Sequence, residues 1–214
     1  MKKILTTALV LGALYGTANA KIYLGVDGGY TTIDMKKFEI DGVSKENSVN
    51  VGLNIGLNYT IADQYFFGLE AHVRSGELFN KNRYDFTDNF GKDRYYETSI
   101  TNPYGAKIFA GTIINKKIEL FASAGIEIIY YEENYSKEYS YSDPHGYHYT
   151  VFDIEELKTS VSPSFGLGIG YKISNNFDLK LSYEHILSEY EVENPSSYIK
   201  TPINTIRLGV NYLF

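Results

Sequence analysis

The segment Ser48–Thr60 shows the clearest alternation of apolar and polar residues in the chain. Valine, leucine, isoleucine or tyrosine fills the six odd positions from Val49 to Tyr59, and asparagine or glycine fills the even positions between them. A period of two residues is typical of a β-strand with one apolar and one polar face. The segment Ser162–Ile173 repeats the pattern, with serine, glycine and lysine on the polar face.

The same period predicts eight strands and no helix after residue 20. We expect the strands Lys21–Thr32, Ser48–Thr60, Tyr65–Ser75, Thr98–Ile113, Ile118–Tyr131, Lys158–Ile173, Phe177–Tyr190 and Thr201–Phe214. Three connections are short (Ile61–Gln64, Ile114–Lys117 and Ser174–Asn176), and the four that alternate with them are long (33–47, 76–97, 132–157 and 191–200). This alternation is typical of an antiparallel barrel in a bacterial outer membrane. Ten strands are the alternative if a long loop adds a strand pair to the wall.

Residues 1–20 have the pattern of a secretory signal peptide. Lys2 and Lys3 are basic, Ile4–Tyr15 is apolar, and Ala18-Asn19-Ala20 is an A-x-A cleavage site. We therefore predict export and a mature chain of residues 21–214 that forms one domain. An uncleaved anchor is the alternative, but the apolar run is shorter than the ~20 residues that a spanning helix needs.

The alternation alone does not show which face points outward, because a soluble lipocalin-type barrel also alternates. Glycine and charge crowd the polar face, which fits the narrow interior of an eight-stranded barrel. Aromatic residues lie at strand ends on the apolar face, as in membrane-interface girdles. We expect Tyr59, Phe67, Tyr104, Tyr171 and Tyr212 on one rim, and Tyr30, Tyr130 and Tyr183 towards the other. These features favour lipid around the barrel.

The last strand and an internal repeat suggest a family. The chain ends in alternating apolar residues with Tyr212 and Phe214, which resembles the signal read by the barrel assembly machinery of Gram-negative bacteria. Gly56-x-x-Tyr59-x-Ile61 and Gly168-x-x-Tyr171-x-Ile173 mark the same point before two short turns. Together these motifs resemble the small eight-stranded outer-membrane barrels of the outer membrane protein A, protein X and opacity type. The resemblance implies a multi-pass, porin-like barrel among outer-membrane lipids and lipopolysaccharide.

Composition narrows the possible partners. The formal net charge is −6, and removal of Lys2 and Lys3 with the signal peptide would make it −8. This acidic balance argues against nucleic-acid binding through bulk charge. The chain has no cysteine, so no disulfide stabilises it in an oxidising compartment.

The inward face of the predicted barrel carries acids and bases in balance. They are Asp27, Glu70, Glu127 and Glu184, with Arg74, Lys107, Lys180 and Arg207, and His72 lies among them. We expect Lys107 to face Glu70, and Arg207 to lie between Asp27 and Glu184. Because an unpaired buried charge is costly, these residues should form a polar network that plugs the lumen. The alternative is a narrow, gated porin-like channel for ions or small solutes.

The long loops carry the most specific surface chemistry. Asp143-Pro144-His145-Gly146 fits a type I turn, and tyrosines flank it at Tyr135, Tyr139, Tyr141, Tyr147 and Tyr149. We expect loops 76–97 and 132–157 to continue as hairpins above the membrane, with free edges that could recruit a partner strand. Exposed tyrosines bind well at low entropic cost. The leading hypothesis is adhesion to host or neighbouring cells, and the alternative is contact with lipopolysaccharide only.

We predict no catalytic, cofactor or metal site. A metal site at the loop tip would use Asp143, His145, His148 and Asp153, but two histidines three residues apart in a loop are a weak indication of one. A lipid A deacylase needs histidine and serine two apart, whereas His185 and Ser188 are three apart and on opposite faces of a strand. Ligand transport of the protein W type needs an apolar lumen patch, and the sequence indicates little of one.

Overall fold

The computed structural model describes residues 19–34, 45–85, 94–143, 146–191 and 198–214. Within these ranges the chain forms nine strands: β1 (Asn19–Asp34), β2 (Lys45–Ile61), β3 (Tyr65–Ser75), β4 (Glu77–Asp85), β5 (Arg94–Ile114), β6 (Ile118–Asp143), β7 (Gly146–Lys172), β8 (Phe177–Glu191) and β9 (Tyr198–Leu213). No helix in the described ranges has the length and apolar character that crossing a membrane requires. Nearly all of the predicted signal peptide lies outside the described residues.

The strands close into an antiparallel barrel. They pair in the order β3-β2-β1-β9-β8-β7-β6-β5-β4, and β3 also pairs with β5, from Tyr65 opposite Thr112 to Val73 opposite Tyr104. β4 continues β3 beyond Gly76, whose φ of 112° lies in a region that favours glycine. The wall therefore has eight strands, and the predicted fold class is confirmed.

Two of the predicted short turns have the geometry that hairpins favour. Ala62 and Asp63 have φ of 51° and 56°, and Asn115 and Lys116 have φ of 52° and 58°. Two successive left-handed residues define a type I′ turn, whose twist matches that of the flanking strands. In the third turn, the Ser174 hydroxyl accepts hydrogen bonds from the backbone N–H groups of Asn176 and Phe177.

The apolar face of the strands points outward, as predicted. Leu53 is 59% exposed and Leu167 is 64% exposed, whereas Asn54, the neighbour of Leu53, is 8% exposed. The same alternation holds on β9, where Val210 lies on the outer surface and Arg207 is buried inside. An apolar outer surface around a polar interior is the arrangement of a barrel in lipid.

The positions of two girdle residues differ from the sequence prediction. Tyr104 was expected at the short-turn rim, but it pairs with Val73 and Ile128 on the long-loop side of the barrel. That prediction is wrong because β5 descends towards its turn at Ile114, so the start of the strand is its upper end. Tyr183 pairs with Leu167 and Ile206 near the middle of the wall rather than at a rim.

Strands β4 to β7 continue well beyond the wall on the long-loop side. β6 and β7 stay paired without interruption from Ile118 opposite Tyr171 to Asp143 opposite Gly146. Residues 94–101 of β5 pair with β4 on one side and with β6 on the other. We call this four-stranded extension, formed by residues 77–85, 94–101, 130–143 and 146–159, the distal sheet. A membrane crossing needs only ~9–11 residues of a tilted strand.

Candidate functional site

The lumen is filled by three layers of side chains. Nearest the short turns is the aromatic layer, formed by Tyr23, Phe66, Phe109 and Phe121 and packed with Ile113 and Leu213. Above it is the charged layer, which contains the predicted polar network. At the long-loop end is the apolar layer, formed by Ile33, Leu78, Ile100, Ile129, Tyr131, Ile186 and Ile203.

One half of the charged layer is centred on Glu127, which is fully buried. Its Oε2 atom lies 3.0 Å from His72 Nε2 and accepts hydrogen bonds from Arg74 Nη1 at 3.0 Å and Asn102 Nδ2 at 3.1 Å. Arg74 uses its Nη2 atom to donate to Glu184 Oε2 at 3.1 Å. This arginine therefore bridges two carboxylates that stand on different strands.

The other half of the charged layer contains the pairs expected from the sequence. Lys107 Nζ lies 3.0 Å from Glu70 Oε1 and 3.9 Å from Glu184 Oε1. Arg207 lies between Asp27, at 2.8 Å, and Glu184, at 3.5 Å. Eight of the nine predicted lumen residues thus lie in one connected group, with Glu184 as its central carboxylate.

Lys180 has a different environment from the other predicted lumen residues. Its Nζ atom lies 4.6 Å from the ring centroid of Tyr23, 5.0 Å from that of Phe109 and 6.0 Å from that of Phe121. An ammonium group at such distances is attracted by the negative faces of the rings. Tyr23 also donates its hydroxyl to Glu70 Oε2 at 2.7 Å and so joins the aromatic and charged layers. Strand parity could have identified these rings, since Tyr23 shares the inward parity of Asp27, and Phe109 that of Lys107.

The apolar layer corrects the expectation of little apolar surface in the lumen. Ile33, Ile100, Ile129 and Ile203 are each 0% exposed and pack together. They lie at the upper ends of strands, where the inward positions carry isoleucine instead of charge. The charged residues of the inward face predicted the charged layer in the middle of the lumen, but not the aromatic and apolar layers at its two ends.

Sequence analysis also missed a second acidic group near the short turns. Glu119 and Asp178 are each 1% exposed, and Lys172 Nζ lies 3.2 Å from Glu119 Oε1. A cavity of about 360 Å³ opens at this end of the barrel, and four of its lining residues are Lys21, Lys116, Lys117 and Lys172. Basic side chains therefore surround the mouth below the buried carboxylates.

The five predicted surface tyrosines lie in the distal sheet. Tyr135, Tyr139 and Tyr141 are separated by even numbers of residues and therefore occupy one face of β6. Tyr149 and Tyr147 pair with Ser140 and Ser142, which places these two residues on the opposite face of the ribbon. The predicted contact residues are thus divided between the two faces of the β6–β7 hairpin.

The distal sheet has two edge strands, β4 and β7, since β4 pairs only with β5 among the described strands. β7 pairs with β8 only from Ser164 opposite Ile186 to Lys172 opposite Asp178. Above Ile186, β8 pairs with β9 alone, up to Glu191 opposite Tyr198. Among the described strands, residues 146–157 of β7 therefore pair with β6.

The proposed assembly residues lie on the outer surface at the short-turn end. Tyr212 is 40% exposed and Phe214 is 64% exposed. Their ring centroids are 4.9 Å apart, and Phe177 lies 5.1 Å from Tyr212. The three rings form one aromatic group at the end of β9, accessible from outside the barrel.

The two residues weighed for catalysis, His185 and Ser188, lie on opposite faces of β8. Ser188 is buried and hydrogen-bonds to Tyr131 inside the barrel, whereas His185 Nδ1 lies 2.7 Å from Asn204 Oδ1 on the outward parity of β8. Within the described ranges, no three histidine, aspartate or glutamate residues are grouped closely enough to hold a metal. His145 lies outside these ranges.

Three solved structures are similar. Ail, the attachment invasion locus protein of Yersinia pestis, is 15% identical with a TM-score of 0.48, over 92% of this chain and 99% of Ail. Neisserial surface protein A is 13% identical with a TM-score of 0.46, over 92% and 99%. The outer membrane protein OprG from Pseudomonas aeruginosa is 14% identical with a TM-score of 0.44, over 90% and 95%.

Sequence comparison gives the family. No curated protein matches the chain. The family model described as outer membrane protein beta-barrel domain matches residues 4–214, which is nearly the whole chain. The chain therefore belongs to the outer membrane protein beta-barrel domain family, and its place is the bacterial outer membrane.

Proposed function

We propose that this outer-membrane barrel is a non-enzymatic surface-contact protein whose distal sheet adheres to molecules on host or neighbouring cells. The observation that carries the proposal is the length of β6 and β7, which have 26 and 27 residues. A membrane crossing uses only ~9–11 of them. The remaining residues of each strand add about 50 Å of paired ribbon, at about 3.3 Å per residue.

The composition of the ribbon supports a role in contact. Residues 130–149 contain seven tyrosines, and a tyrosine offers a large apolar area together with a hydroxyl group. Such residues are frequent in binding surfaces because they lose little conformational entropy on contact. Their division between both faces of the hairpin would allow binding from two sides. Contact with lipopolysaccharide alone is the simpler alternative for the same residues.

The test removes the hairpin and keeps the barrel. Glu132 and Leu157 are directly opposite each other, so an Asn-Gly turn can replace residues 133–156 between them. Cells that display this variant should lose binding to cultured host cells and to immobilised matrix, compared with cells that display the intact barrel. Heat-modifiable gel mobility would show that both barrels are folded. Unchanged binding would contradict the adhesion proposal.

A face-specific variant pair sharpens the test. Serine at Tyr135, Tyr139 and Tyr141 changes one face, and serine at Tyr147 and Tyr149 changes the other. If tyrosine contacts carry adhesion, at least one set should reduce binding, also in bacteria with truncated lipopolysaccharide. If both sets reduce binding equally, and only in bacteria with full-length lipopolysaccharide, the result would instead support contact with lipopolysaccharide alone.

A narrow porin-like channel is the second candidate function. The charged layer favours it, because acids and bases line the middle of the barrel and Lys107 is only loosely paired with Glu184, at 3.9 Å. The aromatic and apolar layers oppose it, because they close the lumen below and above the charges.

We also propose that residues 1–20 direct export and that Tyr212 and Phe214 engage the barrel assembly machinery.

A further inference from the structure

A row of polar residues crosses the outer surface of the wall at one height. Asn204 on β9 lies directly opposite His185 on β8 and opposite Thr32 on β1. Thr32 in turn lies opposite Asn47 on β2. Each of these residues has the outward parity of its strand. We call the set the polar row; its members are His185, Asn204, Thr32 and Asn47.

The polar row interrupts an apolar surface. Tyr30 and Ile206, two residues below it on their strands, and Leu187, two residues above it, are all exposed. His185 comes eight residues after Phe177 on β8, which for a tilted strand is about 20 Å above the short-turn rim. The apolar band of such a barrel is about 25 Å tall. The row therefore lies in the upper part of this band, next to the headgroups of the outer leaflet.

Hydrogen bonds fix the side chains of the polar row. Asn204 Oδ1 accepts a hydrogen bond from the Tyr183 hydroxyl at 2.6 Å and lies 2.7 Å from His185 Nδ1. Because an amide oxygen can only accept, His185 Nδ1 carries the hydrogen of this contact. Thr32 Oγ1 donates to Asn47 Oδ1 at 3.0 Å. The amide oxygens of both asparagines therefore have partners within the barrel surface.

Two other polar atoms of these side chains have no partner within the part of the chain that the structure describes. They are His185 Nε2 and Asn204 Nδ2, since the hydrogen bonds of these side chains use Nδ1 and Oδ1. A polar group without a hydrogen bond is costly in hydrocarbon. A membrane component that hydrogen-bonds both atoms would remove this cost.

The chemistry of the two atoms restricts what that component can be. A neutral imidazole whose Nδ1 donates has an acceptor at Nε2, whereas the amide Nδ2 is a donor. A hydroxyl group can donate to the first and accept from the second. An acyl chain can do neither, and an ionised phosphate can only accept. The row also spans three strand spacings, or about 14 Å, so it can contact several hydroxyl groups side by side, as a sugar presents them.

We propose that the polar row binds the sugar headgroup of a glycolipid in the outer leaflet, the lipid A part of lipopolysaccharide. One sugar hydroxyl donates to His185 Nε2 and accepts from Asn204 Nδ2, and the headgroup extends along the row towards Asn47. This site is separate from the tyrosines of the distal sheet. It does not depend on the proposed adhesion function.

The double variant His185→Leu with Asn204→Val tests the site, because it removes both unpartnered atoms and leaves an apolar surface. The full chain is refolded in phosphatidylcholine vesicles with or without lipid A, and urea unfolding is followed by heat-modifiable gel mobility. Without lipid A, the variant should be at least as stable as the wild type, because fewer polar groups face hydrocarbon. Lipid A should raise the folding equilibrium constant of the wild type at least tenfold more than that of the variant.

Val73→Ala is the matched control for this measurement. Val73 comes eight residues after Tyr65 on β3, so it lies at the height of His185 on another part of the wall, and lipid A should stabilise this variant as much as the wild type. Phosphatidylglycerol, an anionic lipid without a sugar, should not replace lipid A. Equal effects of lipid A on the wild type and the double variant, or equal stabilisation by phosphatidylglycerol, would overturn the proposal.

Photocrosslinking gives a second measurement that does not depend on stability. Benzoylphenylalanine in place of Leu187, beside the polar row, should capture radiolabelled lipopolysaccharide in the outer membrane. Capture should fall at least fivefold when His185 and Asn204 are replaced as above, whereas capture from the position of Val73 should be the same in both backgrounds. Unchanged capture beside the row, or capture of a membrane protein there instead of lipid, would show that the row is not a glycolipid site.

Discussion

At the residue scale, the charged layer depends on complete pairing of its buried carboxylates. Glu127 is the clearest case, since its Oε2 atom lies within 3.1 Å of three nitrogen atoms and Ser164 Oγ lies 3.4 Å from its Oε1 atom. Desolvation of a carboxylate is costly unless such partners replace water. Loss of Glu127 would leave the buried cation Arg74 with one carboxylate partner instead of two.

We therefore expect Glu127→Ala to lower the free energy of unfolding by about 3–5 kcal/mol. Urea unfolding of the protein refolded in lipid vesicles, followed by heat-modifiable gel mobility, measures the change. Asp63→Asn, which removes a carboxylate from an exposed turn, is the control and should change stability by less than about 0.5 kcal/mol.

The double variant Glu127→Ala with Arg74→Ala should be less destabilised than the sum of the single variants, by about 1 kcal/mol or more, because it removes both charges of one pair. Strict additivity would show that the two residues do not stabilise the barrel as a pair.

At the element scale, each wall strand has a lipid face and a lumen face. Leu167 and Ile173 lie on the outer surface of the same hairpin and are exposed to similar extents, 64% and 59%. They differ in height, because Leu167 pairs with Ala122 and Tyr183 in the middle of the wall and Ile173 lies beside the short turn. A charge on the lipid face of a barrel is costly at the centre of the bilayer and cheap at its surface.

Arginine substitutions at these two positions show where the bilayer lies along the barrel. Leu167→Arg should reduce folding free energy in vesicles by about 2–4 kcal/mol, and Ile173→Arg by about 0–1 kcal/mol. Denaturant titration of refolded protein gives both values. Equal, small effects at the two positions would place Leu167 in water and contradict a lipid-facing surface.

At the scale of the whole molecule, three layers close one narrow barrel. Eight strands leave room for side chains only, and here the aromatic layer lies below the charges and the apolar layer above them. Ions that cross the barrel would have to pass the fully buried isoleucines of the apolar layer. The distal sheet extends above these three layers.

We expect no steady conductance from the refolded protein in planar bilayers. Glu70→Ala and Arg207→Ala should also give no steady channels, because they leave the aromatic and apolar layers in place. Leu53→Ala, on the outer surface, is the control for effects of substitution itself. Steady wild-type channels whose conductance changes with Glu70→Ala or Arg207→Ala would support the channel function instead of the plug.

The sequence by itself determined the strands, their faces and the short turns. These follow from local rules: a period of two assigns each residue to a face, and glycine, asparagine and aspartate mark the connections. The pairs Lys107–Glu70 and Arg207–Asp27 could also be predicted, because they join strands that are neighbours in the barrel and residues at similar heights.

The tertiary structure decided what meets across the lumen. Lys180 reaches the rings of Tyr23 and Phe109, which stand on strands far from it in the chain. The apolar layer likewise combines inward residues from six different strands. An odd or even sequence position gives the face of the strand on which a residue lies, but not its height along the barrel axis. The heights depend on the register of each strand pair, which is fixed when the barrel closes. The height of Tyr104 and the end of the β7–β8 pairing at Ser164 depend on the same register.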